Sequence, residues 1–126
     1  MTLFTYDEAA VRVCSVHDLV PERGSAALVG DQQVALFLLR DGVVHAVSNL
    51  DPYSGAHVIS RGIVGNRGDA PTIASPMHKQ VFDLRSGECL DAQGKPAQHL
   101  PVWRVLREGD EVLLLPPLDS GERGSR

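Results

Sequence analysis

The sequence predicts an all-β domain of antiparallel strands, and three observations predict it. Apolar and β-branched residues come in short runs, Gly-containing turn dipeptides separate those runs, and no long amphipathic helical stripe is visible. The first run, Val11–Ser15, predicts an opening strand. Ser15–Pro21, with Asp18 inside it and a stop at Pro21, predicts a single helical turn. Strands are then expected at Ala26–Val29, Gln33–Leu39 and Val43–Asn49, the last two joined through Asp41-Gly42, a strong two-residue hairpin signal. Further strands are expected at Thr72–Ser75, Val81–Leu84 and Glu88–Leu90, with Ser86-Gly87 turning between the latter two. Val102–Leu106 and Glu111–Leu115 close the pattern around Glu108-Gly109-Asp110. Trp103, between Val102 and Arg104, reads as core packing.

The stretch from Asp51 to Pro71 is expected to be mostly loop, because it carries Gly55, Gly62, Gly65 and Gly68 and little periodicity beyond Val58-Ile59 and Ile63-Val64. Loops of that length in a small domain are usually functional or disordered. The chain of 126 residues fits one domain over 1–118, with a subdomain at about 49–87 and a flexible tail at 119–126.

Composition narrows the function classes. A hydrophobic share of 43% and a charged share of 22% are ordinary for a globular domain. The formal net charge of -4, without a Lys/Arg cluster, argues against a nucleic-acid partner. The opening MTLFTYDEAA has no basic and apolar leader pattern, and the longest apolar run, Val34 to Leu39, falls far short of the roughly 20 residues of a membrane helix, so a cytoplasmic protein is expected. Cys14 and Cys89 belong to no CxxC pair and read as reduced, inert thiols. Gly62-x-x-Gly65-x-x-Gly68 reads as turns rather than a phosphate cradle, since no helix follows it. His17, His45 and His99 lack partners at ligand spacing, and Ser54 and Ser60 lack an adjacent base, so none reads as catalytic.

Two proline-tightened loops carry the functional signal: Asn49-Leu50-Asp51-Pro52-Tyr53-Ser54-Gly55-Ala56, and Ser75-Pro76-Met77-His78-Lys79 running into Gln80-Val81-Phe82-Asp83-Leu84-Arg85-Ser86-Gly87. The pair resembles the Rieske family, whose first loop reads N-x-C-P-H-x-G-A and whose second reads C-P-x-H-G followed by x-x-F-D-L-x-x-G. A Rieske centre holds one iron with two Cys thiolates and the other with two His imidazoles. On that pattern Asp51 and Ser75 stand at the Cys positions, Tyr53 at one His position, and only His78 is kept. Neither a serine hydroxyl nor a hard carboxylate replaces a soft thiolate, so no cluster is expected in this chain.

With Ser60-Arg61-Gly62-Ile63-Val64-Gly65 added, the stretch from about Val11 to Leu115 is similar to the small subunits of the cytoplasmic, assimilatory NAD(P)H-dependent nitrite reductases. That resemblance implies a Rieske-like antiparallel β-sandwich with a loop-pair subdomain, and a large-subunit partner carrying FAD, a [4Fe–4S] cluster and sirohaem that reduces nitrite to ammonium. The implied role of this chain is accessory: it docks on and supports the large subunit and is not catalytic alone. Tyr53, Arg61, Arg67 and Lys79, on or near the loops, are the candidate docking residues. Two alternatives make other demands. A Rieske-type ferredoxin would need a cluster, and a mononuclear metal enzyme would need Asp51, His57 and His78 as a two-His-one-carboxylate set.

Overall fold

The computed structural model describes residues 10–117. The expected tail at 119–126 lies outside the described residues. Ten strands appear in chain order: β1 (Val11–Ser15), β2 (Gly24–Val29), β3 (Gln32–Leu38), β4 (Val44–Ser48), β5 (Ile63–Arg67), β6 (Ala70–Ala74), β7 (Val81–Asp83), β8 (Cys89–Asp91), β9 (Val102–Glu108) and β10 (Glu111–Leu115). They form a six-stranded sheet in the order β1-β10-β9-β4-β3-β2 and a four-stranded sheet in the order β5-β6-β7-β8. All the pairings are antiparallel.

The expected strands are present, with ends shifted by a residue or two. The expected helical turn is a short 3-10 helix at Val16–Asp18, capped by Ser15, whose hydroxyl accepts from the His17 amide while the Asp18 side chain accepts from the Ser15 amide. One expectation is corrected. The stretch read as loop holds β5 and a 3-10 turn at Ile59–Arg61, and β5 is paired to β6 along its whole length.

The long apolar run of β3 follows from its position between two cores. Ala35 and Phe37 pack with Val47, Ile59, Ile73 and Phe82 between the sheets. Val34 and Leu36 face the opposite way, toward Val44, Trp103, Val112 and Leu114 inside the curl of the large sheet. A strand buried on both faces reads as continuous apolar sequence.

Backbone contact locks the small sheet to what surrounds it. Gly87 adopts φ +80, and a Cβ there would lie 1.9 Å from the Leu100 carbonyl oxygen. The same backbone is bonded in return, because the Leu100 amide donates to the Gly87 carbonyl at 2.9 Å. Gly62 lets the Ile59–Arg61 turn press onto the end of β6, where a Cβ would lie 2.2 Å from the Ala74 carbonyl oxygen.

Candidate functional site

The site is where the two loops meet, above the ends of β4 and β6. Asn49, at the base of the first loop, is buried, and its side chain fixes the loop's path. Its amide nitrogen donates to the Gln33 side chain at 3.0 Å and to the His57 carbonyl at 3.3 Å, and its oxygen accepts from the Ser60 amide at 2.7 Å. Three bonds from one side chain tie loop, strand and turn together. An isolated bridge between Leu50 and His57 closes the loop across its neck.

Asp51 follows, and it is 0% exposed. Its backbone turns the loop tightly: its amide donates to the Ala56 carbonyl and its carbonyl accepts from the Gly55 amide, both at 2.8 Å. One carboxylate oxygen, Oδ1, accepts from the Tyr53 amide at 2.9 Å. The other, Oδ2, accepts from the Ser75 hydroxyl at 2.5 Å, across from the second loop.

Ser75 is 1% exposed and organises its own loop in the same manner. Its amide donates to the Gln80 carbonyl at 2.9 Å, its carbonyl accepts from the Lys79 amide at 3.0 Å, and its hydroxyl accepts from the Met77 amide at 3.2 Å. A continuous chain of bonds therefore runs from the Met77 amide through Ser75 and Asp51 to the Tyr53 amide. Such a buried polar network is stable only when its members are satisfied, and these are.

Tyr53, a docking candidate, is half-buried: its ring tilts against Phe82 with centroids 6.2 Å apart, and its hydroxyl is engaged. The phenol donates to the Pro96 carbonyl at 2.7 Å and accepts from the Gln98 amide at 2.8 Å, with the Cys89 sulfur 3.5 Å away. Burial, reinforced by the hydrogen bond with Cys89, pushes the phenol above its usual range. Arg67, another docking candidate, makes an ion pair with Asp91 at 3.6 Å. Arg61 and Lys79 are exposed and make no ion pair among the described residues. Lys79 has φ 64, at the position where the Rieske pattern has Gly.

His78, the kept ligand position, is exposed, as is His57. The structure does not gather Asp51, His57 and His78 into a ligand set: Asp51 is turned inward, not toward solvent as a loop residue would be, and both its oxygens are bonded. Among the described residues no three His, Cys, Asp or Glu side chains stand together as a metal site.

Two neighbours in the second loop's pattern, Gln80 and Asp83, have no role assigned from the sequence. Gln80 is fully buried with neither side-chain polar atom bonded. Asp83 is buried and takes Arg85 bidentately, at 3.2 Å from Nε and 3.0 Å from a terminal nitrogen. The hydrogen bond from the Arg85 side chain holds the Asp83 carboxyl below its usual range.

The chain matches the family of the Rieske-like [2Fe-2S] domain over residues 10–115. It is 38% identical over 88 residues to the nitrite reductase (NADH) small subunit of Escherichia coli strain K12, spanning 69% of this chain and 82% of that protein. The solution structure of the nitrite reductase [NAD(P)H] small subunit from Erwinia carotovora is 35% identical, with TM-score 0.69 over 85% of this chain and 81% of that one. The nitrite reductase [NAD(P)H] large subunit of Klebsiella oxytoca matches 79% of this chain at 37% identity, within only 10% of its own length. The chain belongs to the Rieske-like domain family and, within it, to the nitrite reductase small subunits.

The family's cluster does not fit the residues present. Two ligand atoms on one tetrahedral metal, at bond lengths of 2.0 to 2.3 Å, stand roughly 3.3 to 3.8 Å apart. The two side chains at the thiolate positions instead touch at 2.5 Å, the Ser75 hydroxyl donating to the Asp51 carboxylate. A tyrosine bonded away from the loop gap occupies one imidazole position.

Proposed function

We propose that this chain is the accessory small subunit of a cytoplasmic NAD(P)H-dependent nitrite reductase, docking on and supporting a catalytic large subunit and holding no cluster of its own. The observation that carries the reading is the buried hydrogen bond between Asp51 and Ser75, at the two thiolate positions of a Rieske-like loop pair. Neither group is a soft ligand, and each bonds both the other loop and its own. The redox centres belong to the partner; FAD, a [4Fe–4S] cluster and sirohaem are what the small-subunit resemblance implies there. The Klebsiella relative supports the pairing, because a segment like this chain lies within a large-subunit polypeptide.

The test has two parts. Anaerobically purified chain should be colourless in the visible and free of iron and acid-labile sulfide. Added to a matching large subunit, it should bind and raise or stabilise nitrite-dependent NAD(P)H oxidation, while showing none alone. An iron–sulfur spectrum with stoichiometric iron would recast the chain as an electron carrier. A failure to bind the large subunit would remove the accessory role.

A further inference from the structure

The outer surface of the loop pair combines unpaired cations with exposed apolar side chains. The chain carries a net charge of -4, yet within residues 49–63 and 75–80 Asp51 is the sole carboxylate, and it is buried against Ser75. What those segments present to solvent is cationic, imidazole or apolar. Arg61 and Lys79 are exposed and have no carboxylate partner among the described residues. His57 and His78 are exposed beside them in the chain.

Large apolar side chains accompany the cations. Leu50 is 40% exposed, Ile63 73% and Met77 49%. Their backbones adjoin one another: Leu50 bridges to His57 and precedes Asp51, the Met77 amide donates to Ser75, and Ile63 pairs with Ala74, the residue before Ser75. Arg61 joins the same end because the turn that carries it abuts the Ala74 carbonyl at Gly62. The bonds through Asp51, Ser75 and Asn49 fix both loops, so this surface is ordered before any partner arrives.

We infer that this end of the molecule, with Leu50, Ile63 and Met77 at its centre and Arg61 and Lys79 at its rim, is the face that docks on the large subunit, against an apolar depression bordered by Asp and Glu. The inference rests on the small-subunit reading and adds the face and the chemistry of its partner. Unpaired cations around exposed apolar groups match an interface with an apolar centre and a polar rim, and the missing carboxylates remove repulsion from an acidic partner. A second copy of this chain is disfavoured at the same face, since it would set the cations against themselves.

The experiment measures binding of the full chain to purified large subunit, for wild type, R61E/K79E, M77D and the control R107E, each checked for an unchanged far-ultraviolet spectrum and melting midpoint. Arg107 lies on β9, away from the loop pair, where it bonds the Gly42 carbonyl. Affinity is expected to fall at least tenfold in R61E/K79E and in M77D, and to stay within twofold in R107E. Wild-type binding should weaken with added salt, and this dependence should shrink in R61E/K79E. Equal binding by all four proteins would overturn the face and leave the small-subunit reading standing. No binding by wild type would overturn both. Wild-type self-association abolished by R61E/K79E would overturn the choice of partner in favour of a second copy.

Discussion

Ser75→Ala removes one hydroxyl from the join between the loops and should cost far more than a surface hydroxyl. The group lost donates at 2.5 Å to a carboxylate oxygen that is itself 0% exposed. Leaving a buried acceptor without its donor costs about 2–3 kcal/mol when the acceptor is charged. Domains have roughly 5–15 kcal/mol of total stability. For a chain of this size each kcal/mol shifts the melting midpoint by roughly 3–5 °C, so the variant should melt about 6–15 °C lower. The assay is urea denaturation at fixed pH, with the slope required to stay constant so that only stability has changed. A double-mutant cycle with Asp51→Ala isolates the pair, and the double variant should be less destabilised than the sum of the singles by at least about 1 kcal/mol. Two results would refute the reasoning: a Ser75→Ala loss under about 0.5 kcal/mol, or additivity within about 0.3 kcal/mol.

Two other outcomes follow from the same part of the fold. Gln80 is fully buried with its amide unbonded, so Gln80→Met, of similar length and apolar, should raise the denaturation midpoint by the equivalent of about 1 kcal/mol, and a lower midpoint would show that the amide is satisfied in solution. Acid should destabilise the protein in two steps. Burial, its largest cause, holds His45 below its usual range against the carboxylates of Asp41 and Asp83, so the unfolded chain takes up a proton there first. That contribution is present above pH 6.5 and is lost as the pH falls through the lower folded value. Asp83, held low first by the Arg85 side chain, acts with the same sign lower down: its contribution is present above pH 3.8 and is lost as the pH falls through its folded value. Denaturation at pH 7.5 and at pH 5.5 checks the first step, since His45→Gln should lose less stability on acidification than wild type, and equal losses would exclude His45 as the source.

What could be read from the sequence was what is encoded locally. Asp41-Gly42 and Glu108-Gly109-Asp110 lie at the hairpin turns they predict, with Gly42 at φ 88 and Gly109 at φ 61, because positive φ is written in the residue type. β5 was not legible: Ile63–Arg67 carries a Gly, is largely exposed, and becomes a strand by pairing with β6 rather than by its own propensity. The positions of Asp51 and Ser75 in the loops were legible, but their contact was not, since they are 24 residues apart and neither type signals burial. The same holds for Tyr53, whose hydroxyl partners lie 43 and 45 residues away, in a segment without strand or turn periodicity.

The chemistry at the loop junction separates two jobs that a cluster does together. Metal ligation ties two loops to one centre and also supplies a site for an electron. A hydrogen bond between a carboxylate and a hydroxyl can do the first, because both groups are buried, satisfied and within one bond of their own loop's backbone turns. It cannot do the second, since neither group changes oxidation state at biological potentials. The ordering here extends beyond that bond, to the three bonds of Asn49 and to Tyr53 fastened onto 96–98. Loops with no function would not need so many independent constraints, and each constrained residue costs conformational entropy that packing must offset. On the accessory-subunit reading proposed above, what that ordering serves is a docking surface of fixed shape and charge.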